Sequence, residues 1–122
     1  MAPLAFDTAL TRAGDAMIAL SGELDLSGAP ALDDEIDRLA GSDGVQRVVL
    51  DLRELEFMDS TGLRVVALAE RRLSAAGRRL VLIRGAETVQ RVFEITRMEE
   101  RLAFVDSPAG LDGDGEGEGE AA

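Results

Sequence analysis

Residues 59–62, Asp59-Ser60-Thr61-Gly62, hold the side chains of this chain best suited to chemistry. They follow the apolar pair Phe57-Met58 and precede a run of helical character that starts at Leu63. Asp, Ser and Thr oxygens accept hydrogen bonds from the orphan N–H groups of a first helical turn, so one of them is expected as a cap. Here three such residues come in succession, more than a cap requires. Gly62 falls inside the predicted first turn, where it costs about 1 kcal/mol relative to Ala. That cost predicts a close approach to the backbone, and an arriving partner is the expected cause. Phe57 and Met58 are expected to form an apolar patch beside the polar residues. A hydroxyl at a helix N-terminus also suits an added phosphate, whose charge is stabilised by exposed N–H groups and the dipole. The stretch therefore reads either as a cap or as a chemical switch.

Other chemistries fit poorly. A nucleophilic Ser60 needs a base, and the chain has no His, Lys or Cys; all 13 basic residues are Arg. No paired-carboxylate signature stands out, so no catalytic residue and no enzyme is expected. Without His or Cys, disulfides and the usual zinc sites are excluded. Asp51, ending VVLDL, superficially suggests a phosphoaspartate receiver, but the lysine that such domains need is missing. Residues 112–117, DGDGEG, match the start of a calcium loop. The bidentate Glu that such a loop needs at its twelfth position would fall past residue 122, and no helices flank the stretch. No metal and no cofactor are expected.

Composition narrows the function classes. The 122 residues suffice for one domain with a core. Hydrophobic residues make up 46% and aromatics 3%, so aliphatic side chains must fill that core. The formal net charge is -11, which argues against nucleic acid or an anionic membrane as partner, because both need Lys and Arg against phosphate. No apolar run approaches the roughly 18 residues of a membrane span, and the N-terminus lacks a basic-then-apolar signal pattern. A cytoplasmic location is expected.

The elements that must position the motif follow from periodicity. Residues 4–10 and 16–24 read as strands joined by a turn at Gly14-Asp15, an N-terminal hairpin. A helix is predicted over residues 27–41, with Ser27 near its N-cap and Pro30 in its first turn. Leu32, Ile36, Leu39 and Ala40 share one face, Asp33, Asp34 and Glu35 crowd the start, and Gly41 ends it. Residues 45–52, VQRVVLDL, and 79–83, RLVLI, read as strands buried on both faces. The helix predicted between them, with Leu63, Val66, Ala67 and Leu73 on one face and Gly77 at its end, makes a parallel βαβ unit. Another helix, with Val89, Val92, Phe93 and Thr96 on one face, and an edge strand at 102–105 complete the body. From about residue 110 the sequence turns to Gly and acid with no core-forming residue. Residues 110–122 are therefore expected to be a disordered tail. The tail holds five of the 24 acidic residues, which leaves 19 against 13 arginines, so the body is acidic too.

GELDL at 22–26, VVLDLRELEFMDSTGL at 48–63, and the later GRRLVLI and VQRVFEIT segments together resemble the STAS-domain anti-sigma factor antagonists. The resemblance covers about residues 4–106. It implies an α/β fold: a single STAS-like domain, a mixed β-sheet with helices packed on it. It also implies a partner switch. Family members are substrates of an ATP-dependent serine kinase that is itself the anti-sigma factor, and the phosphorylated hydroxyl maps onto Ser60. The unphosphorylated antagonist binds the anti-sigma factor and frees the sigma factor; a PP2C-type phosphatase resets the phosphorylated form. The docking surface this implies comprises Asp25, Asp59, Ser60, Thr61, Gly62, Leu63 and Arg64, with Thr61 a competing acceptor. Without the resemblance Asp25 reads equally well as an ordinary loop acid. STAS-like domains also serve as accessory subunits of lipid-transport or sensor complexes, which is the alternative function.

Overall fold

The computed structural model describes residues 2–112 except Arg12. The elements run β1 (Ala5–Leu10), β2 (Asp15–Leu24), α1 (Ala29–Ala40), β3 (Arg47–Met58), α2 (Ser60–Ala75), β4 (Arg79–Ile83), α3 (Glu87–Ile95), a 3-10 turn (Met98–Glu100) and β5 (Ala103–Val105). The five strands pair in sequence order: β1 is antiparallel to β2, and every later pair is parallel. This is the expected mixed sheet, with the βαβ unit repeated three times. Right-handed crossovers that always step the same way place their helices on one side of a sheet. Accordingly Leu32, Ile36 and Leu39 of α1, Val66, Ala69 and Leu73 of α2, and Val89 and Phe93 of α3 share one aliphatic cluster. Ile18, Leu20, Val48, Leu50, Leu52, Leu80 and Leu82 supply its sheet side.

Several local expectations change. β3 runs to Met58, six residues past its predicted end at 52. Its pairing with β2 slips twice, between Ala19 and Ser21 and between Gly22 and Glu23. Each slip inserts an extra β3 residue and breaks the two-residue period, which hides the strand in the sequence. α1 begins at Ala29 behind Gly28, without a side-chain cap, so Ser27 is not its N-cap. Asp33, Asp34 and Glu35 consequently sit past the first turn, where the dipole has faded. Two of them pair with arginines instead: Asp33 with Arg72 at 3.1 Å and Glu35 with Arg38 at 2.8 Å. Thr96 is exposed at the end of α3, its hydroxyl donating to the Val92 carbonyl at 2.7 Å. Gly77 ends α2 as expected: at φ 75° it lets its own N–H reach Ser74 O and Arg78 N–H reach Leu73 O.

The other face of the sheet is covered differently. Val49, Val81 and Ile83 are fully buried there against Leu111. Arg47 grips Asp15 with two bonds of 2.8 and 2.7 Å and donates to the Leu111 carbonyl at 2.9 Å. Leu111 is 6% exposed, so it is a core residue where the sequence suggested only tail. The expected disorder of the remaining segment concerns residues 113–122, which lie outside the described residues. At the other end of the chain, Glu23 N–H donates to the Ala2 carbonyl at 3.1 Å, and Pro3 bridges to Glu23. The first residues thus lie beside the end of β2.

Candidate functional site

β3 pairs with β4 only through Asp51, so its last seven residues project beyond the sheet centre alongside β2. Leu24 faces Met58 at the tip of this pair. Immediately beyond it, β2 turns into Asp25 and β3 into α2. Two loops therefore lie together at the carboxyl end of parallel strands, the common location of functional sites in such sheets.

Asp59 is the cap of α2. Its backbone is extended, and its Oδ1 accepts from Thr61 N–H at 3.0 Å and Gly62 N–H at 3.1 Å. Ser60 is the first helical residue and is exposed; Thr61 is half-buried. Ser60 is thus the more exposed of the two hydroxyl residues. The cap also changes the expected electrostatics. With Asp59 holding the N–H groups of Thr61 and Gly62, a phosphate on Ser60 is left with the helix dipole and Arg64. Arg64 is exposed one turn along the same face and makes no ion pair among the described residues.

Gly62 is buried, and the close approach it allows is internal. A Cβ there would lie 2.7 Å from Met58 Cγ and 2.8 Å from both Leu24 Cγ and the Leu24 carbonyl oxygen. The expectation that this glycine admits a partner to its backbone is corrected: the end of β2 fills that space. Met58 is also removed from the expected apolar patch, since the alternation of the strand turns it inward at 2% exposure and leaves Phe57 outside at 46%. Leu63 is half-buried against the core.

Asp25 has a structural job. Its Oδ1 accepts from the Ser27 hydroxyl at 2.8 Å and Ser27 N–H at 3.1 Å, and its carbonyl accepts from Ala29 N–H at 2.9 Å. The Ser27 hydroxyl bond is the main influence holding its carboxyl below the usual range. Asp25 thus shapes the turn that starts α1. A shallow groove of about 280 Å³ runs between α1 and α2, lined by Pro30, Asp33, Thr61, Arg64, Val65 and Leu68. Leu26 and Leu68 are exposed at this end along with Phe57. That Leu26, Pro30 and Leu68 belong to this surface was not read from the sequence; the groove depends on how two helices cross, which no single periodicity reveals. The groove opens beside the start of α2, where Thr61 and Arg64 line it and Ser60 is exposed.

Residues 8–106 match the family described as Mlab, STAS domain. The anti-sigma-F factor antagonist RsfB of Mycobacterium tuberculosis is 32% identical over 75 residues, covering 62% of this chain and 61% of that protein. The chain therefore spans about three fifths of the length of that relative. The anti-sigma-B factor antagonist of Listeria monocytogenes is 29% identical over 96 residues, covering 79% of this chain and 83% of that protein. The anti-sigma factor antagonist SpoIIAA in its unphosphorylated form has a similar structure, with a TM-score of 0.76 and 25% identity over 88% of this chain and 94% of its own. SpoIIAA of Bacillus in the phosphorylated form shares the fold, at a TM-score of 0.70 and 24% identity over 88% of this chain and 97% of its own. The sheet order, the capped α2 junction and these matches agree: the chain belongs to the STAS-domain family, which includes the anti-sigma factor antagonists.

Proposed function

We propose that this chain is an anti-sigma factor antagonist controlled by phosphorylation of Ser60. Unphosphorylated, it binds an anti-sigma factor that is also a serine kinase, and so releases the sigma factor. Phosphorylated, it lets go until a PP2C-type phosphatase restores the hydroxyl. The role is regulatory and cytoplasmic, with no catalysis by this chain. The observation that carries the reading is the exposed Ser60 at the start of α2, beside an apolar groove and behind a cap already satisfied by Asp59.

The physics of the switch is local. A phosphate adds about -1.5 to -2 charges at Ser60. On the free protein it stands in water beside Arg64, so the fold is unaffected. In the docked state it meets a packed, partly desolvated contact next to Asp59. Repulsion and desolvation there weaken binding by several kcal/mol, each ~1.4 kcal/mol being a factor of ten. Leu26, Phe57 and Leu68 supply apolar contact, Thr61, Leu63 and Arg64 complete the surface, and Asp25 and Gly62 act by shaping the backbone beneath it.

The decisive experiment measures binding of the candidate anti-sigma factor to the wild type, Ser60→Ala and Ser60→Asp. Ala is expected to bind like the wild type and Asp to lose at least tenfold, corresponding to about 1.4 kcal/mol. Equal binding by all three overturns the switch. After incubation with kinase and ATP, mass spectrometry is expected to find phosphate on Ser60; phosphate on Thr61 with Ser60 bare reassigns the acceptor. Recovery of a transporter ATPase in a pull-down, in place of a kinase, supports the accessory-subunit alternative.

A further inference from the structure

The end of the sheet opposite Ser60 reverses the sign of the molecule. The chain carries a net charge of -11, yet arginines gather where α2 closes, β4 begins and the chain enters β5. Two adjoining clefts of about 250 and 410 Å³ open between these elements. Arg78, Arg79 and Ser74 line the first, Arg71 and Met98 the second, and Glu70 and Arg101 belong to both. The fold assembles this lining from separate parts of the chain. Glu70 and Arg71 lie one turn before Ser74 on α2, so the three share a face. Arg79 opens β4, and the pairing of Val81 with Ala103 brings Arg101 level with it at the edge of the sheet.

Arg78 is fixed in place by neutral acceptors. It donates to the Ala76 carbonyl at 2.9 Å and to the Ser42 carbonyl at 2.8 Å. These bonds orient the guanidinium and leave its charge intact. They also occupy a carbonyl at the end of α2, where the dipole otherwise disfavours an anion. A guanidinium has more N–H donors than these bonds use, so donors remain. Arg38, Arg47, Arg53, Arg72, Arg84 and Arg91 each pair with a carboxylate. Among the described residues Arg71 and Arg101 form no ion pair. Glu70 is a poor counterion for the group, because burial pushes its carboxyl up against the pull of Arg79. The second cleft is also partly apolar, since Ala67, Met98 and Leu102 line it together with Arg71 and Arg101.

We propose that these clefts bind a small organic phosphate, its phosphate held by Arg78 and Arg101 and its organic part lying against Met98 and Ala67. Arginine forks match phosphate oxygens and hold them by charge-assisted hydrogen bonds. A concave site with apolar walls and a few convergent polar groups is the usual form of a small-molecule site, and the larger cleft falls within the usual range of about 300–1,000 Å³. The contact is charged and partly open, so it weakens as salt screens it. It lies at the far pole from Ser60 and leaves that end free.

The test titrates the full chain with phenyl phosphate at low salt and follows its backbone amide NMR signals. Those of Ser74, Met98 and Arg101 are expected to move along one binding curve, while those of Ser60 and Thr61 stay in place. Inorganic phosphate, which lacks a ring to cover Met98 and Ala67, is expected to bind about fivefold more weakly. Arg101→Gln should weaken phenyl phosphate binding about threefold or more, and Glu70→Gln should tighten it about twofold by removing the carboxyl shared by both clefts. Arg91→Gln, on α3 outside both clefts, should leave it unchanged. Unmoved cleft signals overturn the proposal, as does equal affinity for the two phosphates. So does a Glu70→Gln variant that binds no better, or an equal loss in Arg101→Gln and Arg91→Gln, the mark of unspecific attraction to positive charge.

Discussion

At Ser60 and its neighbours, each side chain has a separable physical task. Asp59→Ala removes the acceptor of two N–H groups, and a lost cap costs about 1 kcal/mol; urea denaturation should show a lower midpoint at unchanged slope. Gly62→Ala gains about 1 kcal/mol of helix propensity but drives a methyl group into Leu24 and Met58, where overpacking costs about 1 to 3 kcal/mol. A net loss of about 1 to 2 kcal/mol is expected from the same measurement; unchanged or raised stability would show that the end of β2 yields easily. On phosphorylated protein, Arg64 should hold the second phosphate pKa below its usual value of about 6, because a nearby cation favours the dianion. Arg64→Gln should raise it, as read by phosphorus NMR. The motif itself was legible in the sequence, since Asp-Ser-Thr-Gly after an apolar run marks a strand-to-helix junction. Which neighbours press on Gly62 was not, because beside Met58 they include Leu24, nearly forty positions earlier at the end of β2.

Among the elements, α1 shows how charge ties a helix to its surroundings. Glu35 bonds Arg38 on its own helix and accepts from the Thr8 hydroxyl on β1. The Arg38 bond, aided by Thr8, lowers the Glu35 carboxyl from 4.5 to about 2. A carboxyl depressed on folding contributes stability above its unfolded pKa and loses it as pH falls through the folded value. The contribution of Glu35 should therefore be complete above about pH 5 and fade between there and pH 2. Comparing Glu35→Gln with the wild type across that range, the stability gap should narrow as acid is added; a constant gap would show that the carboxyl titrates alike in both states. Helix and strand identities were readable here because aliphatic periodicity is strong. The length of β3 was not, because two bulges reset its alternation beyond Leu52. Nor was the start of α1, since Asp25 and Gly28 shape the entry where Ser27 was the expected cap.

For the whole molecule, the two faces of the sheet are held by unlike means. Three helices cover one, while Leu111, Arg47 and Asp15 close much of the other. Leu111→Ala should therefore cost about 2 kcal/mol or more in chemical denaturation, although the sequence places it at the edge of an acidic tail. A cost near zero would mean that the arginine pair alone shields Val49 and Val81. A single leucine among glycines carries no periodic signal, so its burial emerges only with the return of the chain across the sheet. The bond between Ala2 and Glu23 has a practical consequence as well. It holds residues 2 and 3 at the same pole as Ser60, so a fluorophore attached there would shadow the proposed docking surface and distort measured affinities.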